Sequence, residues 1–312
     1  MSWVVLGAGG FVGSAVSLAL TTSGIDHVPV SAPRLTSTAT SPAELVNQAA
    51  LHEEVVMSLA DAFQGHTIVV NAAGLATPGN LDTSRLTGAN ALLPVLVAQA
   101  CARSGVERLI HLSSAAVQGH RSMLDESFEV EPFSPYSRSK ALGEAGLRAL
   151  VDGAPNIVIL RATSVQGWDR PTTKALARLA ASPLASVAAP GTAPSPVTSV
   201  ESLADLVMAV GTHAGPVAPI VLQPWEGLTV RTVLESAGGT PQLLPAGLCR
   251  VILKAGYAVS RLTRERLHGS LRRVELMWFG QSQVRGWAEE NGIRPKARVS
   301  SVLEEAGARR RR

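Results

Sequence analysis

The chain has 312 residues, of which 46% are apolar, 17% charged and 4% aromatic, a composition typical of a compact globular enzyme rather than a disordered or fibrous protein. The net charge of +4 is unevenly distributed, because residues 1–247 carry a net charge of −5 and residues 248–312 one of +9. No apolar stretch is long enough to span a bilayer and the first strand follows Met1 almost at once, so we expect no secretory signal and a cytoplasmic location.

The first predicted element is a buried strand, Trp3–Leu6, that runs into a glycine-rich turn and then a helix. The glycines are spaced G-x-x-G-x-x-G, rather than the G-x-G-x-x-G of the usual dinucleotide fingerprint. A strand, a glycine turn and a helix N-terminus together suit a dinucleotide pyrophosphate, since the backbone N–H groups and the helix dipole attract anions. The sequence therefore predicts cofactor contacts from Gly7, Gly9, Gly10, Phe11, Val12 and Gly13.

The second predicted strand, His27–Val30, is not followed by an acidic residue. A carboxylate at this point would bind the adenosine ribose of NAD and repel the additional phosphate of NADP. Ser31 and Arg34 follow instead, and their hydroxyl and guanidinium groups suit a phosphate. We predict a preference for NADP(H) over NAD(H); the alternative is that Arg34 is only a surface cation.

Strand-like apolar runs alternate with helical segments through the first half, which predicts an α/β fold with a Rossmann-type, doubly wound parallel sheet. Further strands are predicted at Glu54–Met57, Thr67–Asn71, Arg108–Leu112, Asn156–Leu160 and Pro219–Leu222, and helices at Leu92–Arg103 and Pro135–Leu150. From about Pro171 the pattern loosens into Ala, Ser and Pro, where we expect the chain to cross between lobes. We predict a nucleotide-binding domain at residues 1–170, with return segments near 196–222, and a mostly helical substrate-binding lobe at 171–312.

The most informative chemical pattern is Ser114 at the end of a predicted strand, with Tyr136 and Lys140 on a later helix. Residues four apart share one helix face, so the Lys140 ammonium is expected to lower the pKa of the Tyr136 phenol. Such a phenol exchanges a proton with a substrate oxygen while hydride moves to or from a nicotinamide, and Ser114 hydrogen-bonds the same oxygen. We predict Ser114, Tyr136 and Lys140 as catalytic residues, with Tyr136 and Lys140 also near the cofactor.

These motifs resemble the extended short-chain dehydrogenase/reductases, the NAD-dependent epimerase/dehydratase family. Gly7, Gly10 and Gly13 resemble its glycine loop, and Ser114, Tyr136 and Lys140 its catalytic triad. The resemblance implies that Thr163 and Ser164 lie near nicotinamide or substrate, and that the segment after the strand Thr67–Asn71 lies along the cofactor. That segment consists of Asn71, Ala72, Ala73 and Gly74.

Three departures from the family pattern bear on the reaction. Ala115 and Ala116 stand where the family's dehydratases carry an acidic pair, so dehydration lacks its acid and base. Gln118 and Ala162 stand where the family usually has Tyr and Pro, which puts substrate contacts inferred from those positions in doubt.

The function predicted first is an NAD(P)-dependent oxidoreductase that reduces the keto group of a nucleotide-linked sugar or a similar metabolite, with Tyr136 as proton donor. The alternatives are an NAD-dependent nucleotide-sugar epimerase and a non-catalytic NADP-binding sensor built on the same fold. Substrate contacts are expected from Ser114, Ala115, Ser164 and Arg231, with Arg231 binding an anionic substrate unless it is merely solvated.

The basic C-terminal segment leaves three alternatives open: it lies beside an anionic substrate, contacts an acidic membrane surface, or keeps the lobe soluble. Its cations include Arg250, Lys254, Arg261, Arg264, Arg266, Arg272, Arg273 and the tail Arg309–Arg312, which we expect to be a solvated, disordered end. The seven histidines and two cysteines show no ligand spacing, and no nucleic-acid-binding module is present, so we expect neither metal nor nucleic acid. The resemblance implies a homodimer formed through Leu92–Arg103 and Pro135–Leu150.

Overall fold

The structure is a computed structural model that describes residues 1–76, 83–150, 155–262 and 267–311. Over these residues the strands, in chain order, are β1 Trp3–Leu6, β2 His27–Val30, β3 Ile68–Asn71, β4 Arg108–Ser114, β5 Met123–Leu124, β6 Asn156–Ala162, β7 Ser164–Gln166, β8 Ser186–Ala188, β9 Val197–Ser199, β10 Ile220–Leu222, β11 Gln242–Leu244 and β12 Ser282–Gln283.

The α-helices of the same residues, in chain order, are α1 Phe11–Thr22, α2 Pro42–Ala49, α3 Glu53–Phe63, α4 Thr83–Thr87, α5 Leu93–Ser104, α6 Pro135–Arg148, α7 Pro171–Ala180, α8 Val200–Thr212, α9 Val230–Ser236, α10 Ala246–Leu262, α11 His268–Phe279, α12 Trp287–Glu290 and α13 Val299–Arg311. A π-helical turn at Gly88–Leu92 precedes α5, and a 3₁₀ turn at Ala115–Gln118 follows β4. None of the helices in the described ranges is long and apolar enough to cross a membrane.

The main sheet has six parallel strands in the order β10-β6-β4-β3-β1-β2, which confirms the predicted fold class. The strand order reverses between β1 and β3, and ligands of such sheets bind beyond the carboxyl ends of the strands at this point. The main chain leaves β1 there at Gly7 and leaves β3 there at Asn71, so the two predicted cofactor segments meet at the switch point.

Two apolar layers cover the sheet, one on each face. Leu6 and Val4 of β1 pack with Phe63, Leu96 and Leu109 on one side. Because strand side chains alternate, Trp3 and Val5 pack on the other side, with residues of α1 and α8. The sequence identified all six strands of this sheet, because strands buried on both faces read as continuous apolar runs; β2, at the edge, is less buried than the others.

The predicted strand Glu54–Met57 is wrong, because this segment lies in helix α3. Val56, Leu59, Ala60 and Phe63 are buried at spacings of three, four and seven residues, which is helical periodicity. Two glutamates in the first turn also favour a helix, since they face its positive end. A window of four residues is too short to distinguish the 3.6-residue period of a helix from the two-residue period of a strand.

Other boundaries shifted for identifiable reasons. The chain does not loosen at Pro171 as expected; Pro171 is the first residue of α7, a position that proline favours. The predicted helix Leu92–Arg103 begins with the π-helical turn and continues as α5, which ends at Gly105 in a left-handed conformation (φ 72°). Most of α5 is buried against α3 and other elements of the same chain, which leaves little of it for the expected dimer contact.

The C-terminal part holds two smaller apolar clusters of its own. One contains Val187, Val233, Leu234 and Leu303, and the other centres on Cys249, with Leu253 and Trp278. The predicted division into two domains stays a prediction.

The arginine tail is helical up to Arg311, contrary to the disordered end that we expected, because Arg309 pairs with Glu305 one turn earlier (2.6 Å) and stacks on Trp168. Arg264, Arg266 and Arg312 lie outside the described residues.

Candidate active site

The glycine turn after β1 has the geometry of a cradle whose glycines serve different purposes. Gly7 adopts a left-handed conformation (φ 84°), and a Cβ there would lie 2.9 Å from the backbone of Ala73. A Cβ on Gly13 would lie 2.2 Å from the Gly7 carbonyl oxygen, so α1 approaches the turn only because this residue is glycine. A Cβ on Gly9 would contact nothing, which leaves that side of the turn open.

The open side of this turn faces the start of α1. Gly10 is the N-cap of that helix, no side chain caps it, and its first turn contains no acidic residue. The first N–H groups of a helix have no intrahelical partner and its N-terminus is positive, so this end suits a phosphate. Val12 lies in this first turn, and the Phe11 ring lies against Gly167 and Arg170. The predicted cofactor contacts of both residues stay predictions.

The segment Asn71–Gly74 closes the other side of the cradle. The Asn71 Oδ1 accepts a hydrogen bond from the Ala73 N–H (3.2 Å), whereas its buried Nδ2 has no partner among the described residues. A Cβ on Gly74 would lie 2.8 Å from Asn90 Oδ1 and 3.1 Å from Lys140 Nζ, so this position is closed to other residues. A nicotinamide dinucleotide fits this cradle, since the open turn receives phosphates and Asn71 offers an unused donor.

Ser31 and Arg34, predicted beside the cofactor ribose, are both exposed after β2. No carboxylate occurs from Ser31 to Thr40. The preference for NADP(H) stays a prediction.

Ser114 and Tyr136 lie beside each other, at the end of β4 and near the start of α6. Ser114 is the last residue of β4 and accepts a hydrogen bond from the Ala116 N–H (3.2 Å). Tyr136 lies in the first turn of α6, whose start is fixed by a capping box between Ser134 and Ser137. Burial raises the pKa of Tyr136, and this outweighs the lowering by a hydrogen bond from Ser114 and by the positive charge of Arg170. The structure thus brings the predicted acid and its hydroxyl partner together.

The predicted effect of Lys140 on the phenol stays a prediction, because the shift in the pKa of Tyr136 arises from burial, Ser114 and Arg170. Its Nζ donates a hydrogen bond to the Leu112 carbonyl (2.9 Å), and burial lowers the pKa of Lys140 to about 8. The cation whose charge lowers the pKa of Tyr136 is Arg170, because the Lys140 ammonium is turned towards β4 and Gly74. Lys140 therefore borders the cofactor cradle.

Arg170 is the site residue that the sequence reasoning missed. Its guanidinium donates to the Val165 carbonyl and lies 4.8 Å from the centre of the Phe11 ring. The Phe11 ring also fills the space beside Gly167, where a Cβ would lie 2.6 Å from it. The signal was the position of Arg170, eight residues after the end of β6, whose last residue pairs with Ser114; the segment contains Gly167 and is followed by Pro171.

A buried ion pair supports the catalytic residues from behind. Glu144 and Arg161 are joined by two hydrogen bonds, 2.7 and 3.2 Å long. Glu144 also accepts a hydrogen bond from Ser113 (2.5 Å), next to Ser114, and lies one turn after Lys140. Arg161 donates in turn to the Ser127 carbonyl (2.7 Å). The pair connects α6, β4, β6 and the loop after β5.

Asn90 is a second residue that the sequence reasoning missed. It lies in the π-helical turn before α5, a type of distortion often found at functional sites. Its side chain exchanges hydrogen bonds with the backbone of Leu75 (2.9 and 3.0 Å) and donates to Ser139 (3.0 Å). Asn90 thereby fixes the end of the cradle beside Lys140.

The remaining predicted site residues make few contacts that tie them to Ser114 and Tyr136. The Thr163 hydroxyl is buried without a partner among the described residues, while Ser164 is exposed at the start of β7. Ala115 is buried in the turn after Ser114. Arg231 is half-exposed on α9 and pairs with Glu235 (2.6 Å), and the structure shows no contact that brings it to Tyr136.

Gln118, one of the departures from the family pattern, forms its side-chain hydrogen bonds with the loop after β5. Its amide donates to Asp125 (2.6 Å) and to the Glu129 carbonyl (3.0 Å). The described residues contain no cluster of three or more His, Cys, Asp or Glu side chains that could hold a metal ion.

Comparison with known proteins decides the family. A model of the NAD dependent epimerase/dehydratase family matches residues 3–212, which include the cradle, Ser114, Tyr136 and Lys140. The chain belongs to this family. No curated protein matches the sequence.

Several solved structures of this family's fold resemble the chain. A UDP-glucuronic acid 4-epimerase from Bacillus cereus, solved with NAD, is 19% identical, with a TM-score of 0.64 and 99% of each chain covered. A protein called gox2253 is 20% identical, with a TM-score of 0.68, 99% of this chain and 98% of that chain covered. A dTDP-4-dehydrorhamnose reductase from Clostridium acetobutylicum is 19% identical, with a TM-score of 0.56, 78% of this chain and 83% of that chain covered. At these identities the likeness shows the fold alone.

Proposed function

We propose that the protein is an NAD-dependent epimerase of a nucleotide-linked sugar, which inverts a carbon through a keto form of the sugar. The observation that carries this proposal is the placement of Ser114 and Tyr136 beside the cofactor cradle, with no carboxylate at positions 115 and 116 to catalyse elimination. Similarity over the full chain to an epimerase that binds NAD supports it over the reductase first predicted from the sequence. The reductase in the comparison covers less of the chain.

In this proposal the chain's own residues move a proton at a single substrate oxygen. Tyr136 takes the proton of the sugar hydroxyl as its carbon is oxidised and returns it when the carbon is reduced from the other face. Ser114 donates a hydrogen bond to the same oxygen, and Arg170 stabilises the phenolate by its charge. A bound nicotinamide supplies the hydride acceptor and donor. Lys140 and the Asn71–Gly74 segment border that group.

One feature favours a second candidate, an NADPH-dependent reductase. The absence of a carboxylate after β2 and the exposed Arg34 suit a ribose phosphate, and a reductase exchanges its cofactor with solution. The two candidates differ in what the purified protein contains. An epimerase retains its dinucleotide and needs none added, whereas a reductase consumes NADPH.

The deciding experiment is to release and identify any bound dinucleotide from the purified protein, and then to incubate it with UDP-glucuronic acid without added cofactor. We expect bound NAD and a second UDP-sugar, detected by proton NMR. Tyr136→Phe retains the ring but removes the proton, so kcat should fall on the order of 10²–10⁴-fold with an unchanged melting temperature. Protein that is empty as purified, and oxidises added NADPH only with a keto sugar, would establish the reductase instead.

The matched control is Tyr257→Phe, which removes the chain's other tyrosine hydroxyl at a site far along the sequence in α10. Its turnover should stay close to that of the wild type. Near-normal turnover of Tyr136→Phe would exclude the phenol as the acid and base. Binding of dinucleotide without turnover in either protein, for any sugar nucleotide tried, would favour the sensor.

A further inference from the structure

Helix α10 presents an apolar stripe to solvent. Leu262 is 86% exposed and Val251 64%, and Leu248, Ile252 and Val259 are also exposed. Measured from Leu248 these residues follow at three, four, eleven and fourteen positions, so they lie along one side of the helix. Contiguous exposed apolar surface of this kind marks an interaction site more often than scattered single side chains do.

Helix α10 is packed firmly against the rest of the protein, so its apolar stripe is not exposed through loose packing of the helix. Cys249 and Leu253, on another side of α10, are buried in a cluster with Trp278 of α11. Tyr257 donates a hydrogen bond to Glu275 of α11 (2.7 Å). The two helices also pack closely, since a Cβ on Gly256 would lie 2.6 Å from the Leu271 side chain. Helix α10 is therefore fixed to the molecule with its apolar stripe facing outward.

A row of cations accompanies the apolar stripe. Arg250, Lys254 and Arg261 are exposed, and their spacings of four and seven residues put them on a common side of the helix, between the buried side and the apolar stripe. No Asp or Glu occurs from Ser236 to Leu262. The exposed part of α10 thus offers aliphatic side chains and positive charge, with no carboxylate of its own to neutralise that charge.

We propose that α10 docks the protein on an anionic lipid surface. The aliphatic stripe enters the boundary between headgroups and acyl chains, and the three cations contact lipid phosphates. The long stems of Arg and Lys allow their charged ends to reach headgroups from the flank of a helix that lies in the membrane plane. The proposal is independent of which reaction the active site performs.

Two other occupants fit these observations less well. A second copy of the chain would bring together two copies of a cation-bearing helix that has no carboxylates to pair with them. A protein partner typically meets a surface with aromatic anchors, whereas the exposed stripe is aliphatic and Tyr257 is turned towards α11. Lipids supply both the apolar layer and the negative charge.

The proposed surface is connected to the active site through α11. Arg272 of α11 is buried and donates a hydrogen bond to the Gly119 carbonyl (2.5 Å), which directly follows the 3₁₀ turn after Ser114. Helix α11 therefore contacts both the proposed docking helix and the loop that follows Ser114.

The test is co-sedimentation of the full chain with vesicles of phosphatidylcholine alone or of phosphatidylcholine mixed with phosphatidylglycerol. We expect binding to the mixed vesicles, weakened by salt, and little binding to the neutral ones. Leu262→Asp and the double variant Lys254→Gln/Arg261→Gln should each bind on the order of tenfold more weakly. The matched controls are Leu51→Asp, at a leucine that is 81% exposed elsewhere, and Arg285→Gln/Arg294→Gln. All variants should keep the wild-type melting temperature.

Several results would overturn the proposal. They are the absence of vesicle binding, equal binding to neutral vesicles, and equal losses in the control variants. If vesicles do not bind and Leu262→Asp converts a dimer to a monomer in light scattering, the stripe is instead an interface between copies. If vesicles do not bind but polyglutamate does, the helix takes an acidic protein.

Discussion

Tyr136 is held between two opposing electrostatic effects. Burial raises the pKa of the phenol, while Ser114 and Arg170 lower it, and burial is the larger effect. The phenol is therefore neutral at neutral pH in the chain alone, which suits a proton donor, and Arg170 makes its deprotonated form more accessible. The pKa of this residue depends on a cation whose position no four-residue spacing reveals.

Replacing Arg170 tests this electrostatic assignment. Arg170→Met removes the charge that lowers the pKa of Tyr136, so the kcat limb that rises with deprotonation of the phenol should move to higher pH. The control is Lys174→Met, an exposed cation one turn further along α7, which should leave the pH profile unchanged. An unmoved limb in Arg170→Met would mean that the guanidinium serves only to pack on Phe11.

The lowered pKa of Lys140 predicts how the free energy of unfolding changes with pH. Its pKa of about 8 lies below the 10.5 of an unperturbed lysine, so between these values the unfolded chain binds more protons than the folded one. The free energy of unfolding should therefore rise with pH in this window, by about 3 kcal/mol. The rise should be absent from Lys140→Met.

Urea unfolding of both proteins from pH 7 to 11 measures this difference. Subtracting the two curves removes the contributions of other groups that titrate in the same range, among them Tyr136. A constant difference across the window would show that the Lys140 ammonium titrates normally in the folded protein.

The elements around the site are joined by the Glu144–Arg161 pair rather than by apolar packing alone. Arg161 is fully buried, and its hydrogen bonds reach α6 and the loop after β5. A buried pair gains little relative to two apolar side chains, but removing one partner leaves an uncompensated charge. Its value here lies in fixing the end of β4, where Ser113 and Ser114 lie, and the end of β6, which Thr163 follows.

Arg161→Met should accordingly lower the free energy of unfolding by about 3–5 kcal/mol, measured by urea denaturation. Arg161→Met combined with Glu144→Gln should be less destabilised than the sum of the two single variants, because no buried charge then remains. For comparison, Arg103→Met breaks the exposed pair with Glu53 and should change stability by less than about 1 kcal/mol. Strictly additive effects would show that Glu144 and Arg161 are not coupled.

The elements that the sequence identified were those with a distinctive local pattern. The strand β1, the glycine turn and α1 were recognisable because local geometry requires their glycines: Gly7 has a left-handed conformation, and Gly13 contacts Gly7 within the turn itself. Helix α3 was missed because its burial pattern extends to Phe63, beyond the four residues that suggested a strand. Arg170, Asn90 and the Glu144–Arg161 pair were missed because each depends on contacts between segments distant in sequence.

At the scale of the whole molecule, two lines of reasoning about the cofactor disagree. The chain belongs to the NAD dependent epimerase/dehydratase family, whereas the segment after β2 lacks the carboxylate that usually selects NAD. A fold of this kind binds either dinucleotide in the same cradle, because the glycine turn and α1 contact only the shared pyrophosphate. We propose that the choice depends on the residues that follow β2, among them Arg34.

Arg34→Ala isolates this contribution. If Arg34 contacts a ribose phosphate, the variant should bind NADPH on the order of tenfold more weakly, while its affinity for NADH stays unchanged. A charge-assisted hydrogen bond to a phosphate contributes about 1.5–3 kcal/mol at most, and solvent screening reduces this at an exposed side chain. Calorimetric titration of both cofactors into wild type and variant, after removal of any bound dinucleotide, measures the two affinities. Arg138→Ala, at an exposed arginine in the first turn of α6, controls for the loss of positive charge in general. Equal affinities of wild type and Arg34→Ala for NADPH would show that Arg34 is only a surface cation. That result would also remove the remaining reason to prefer NADP over NAD.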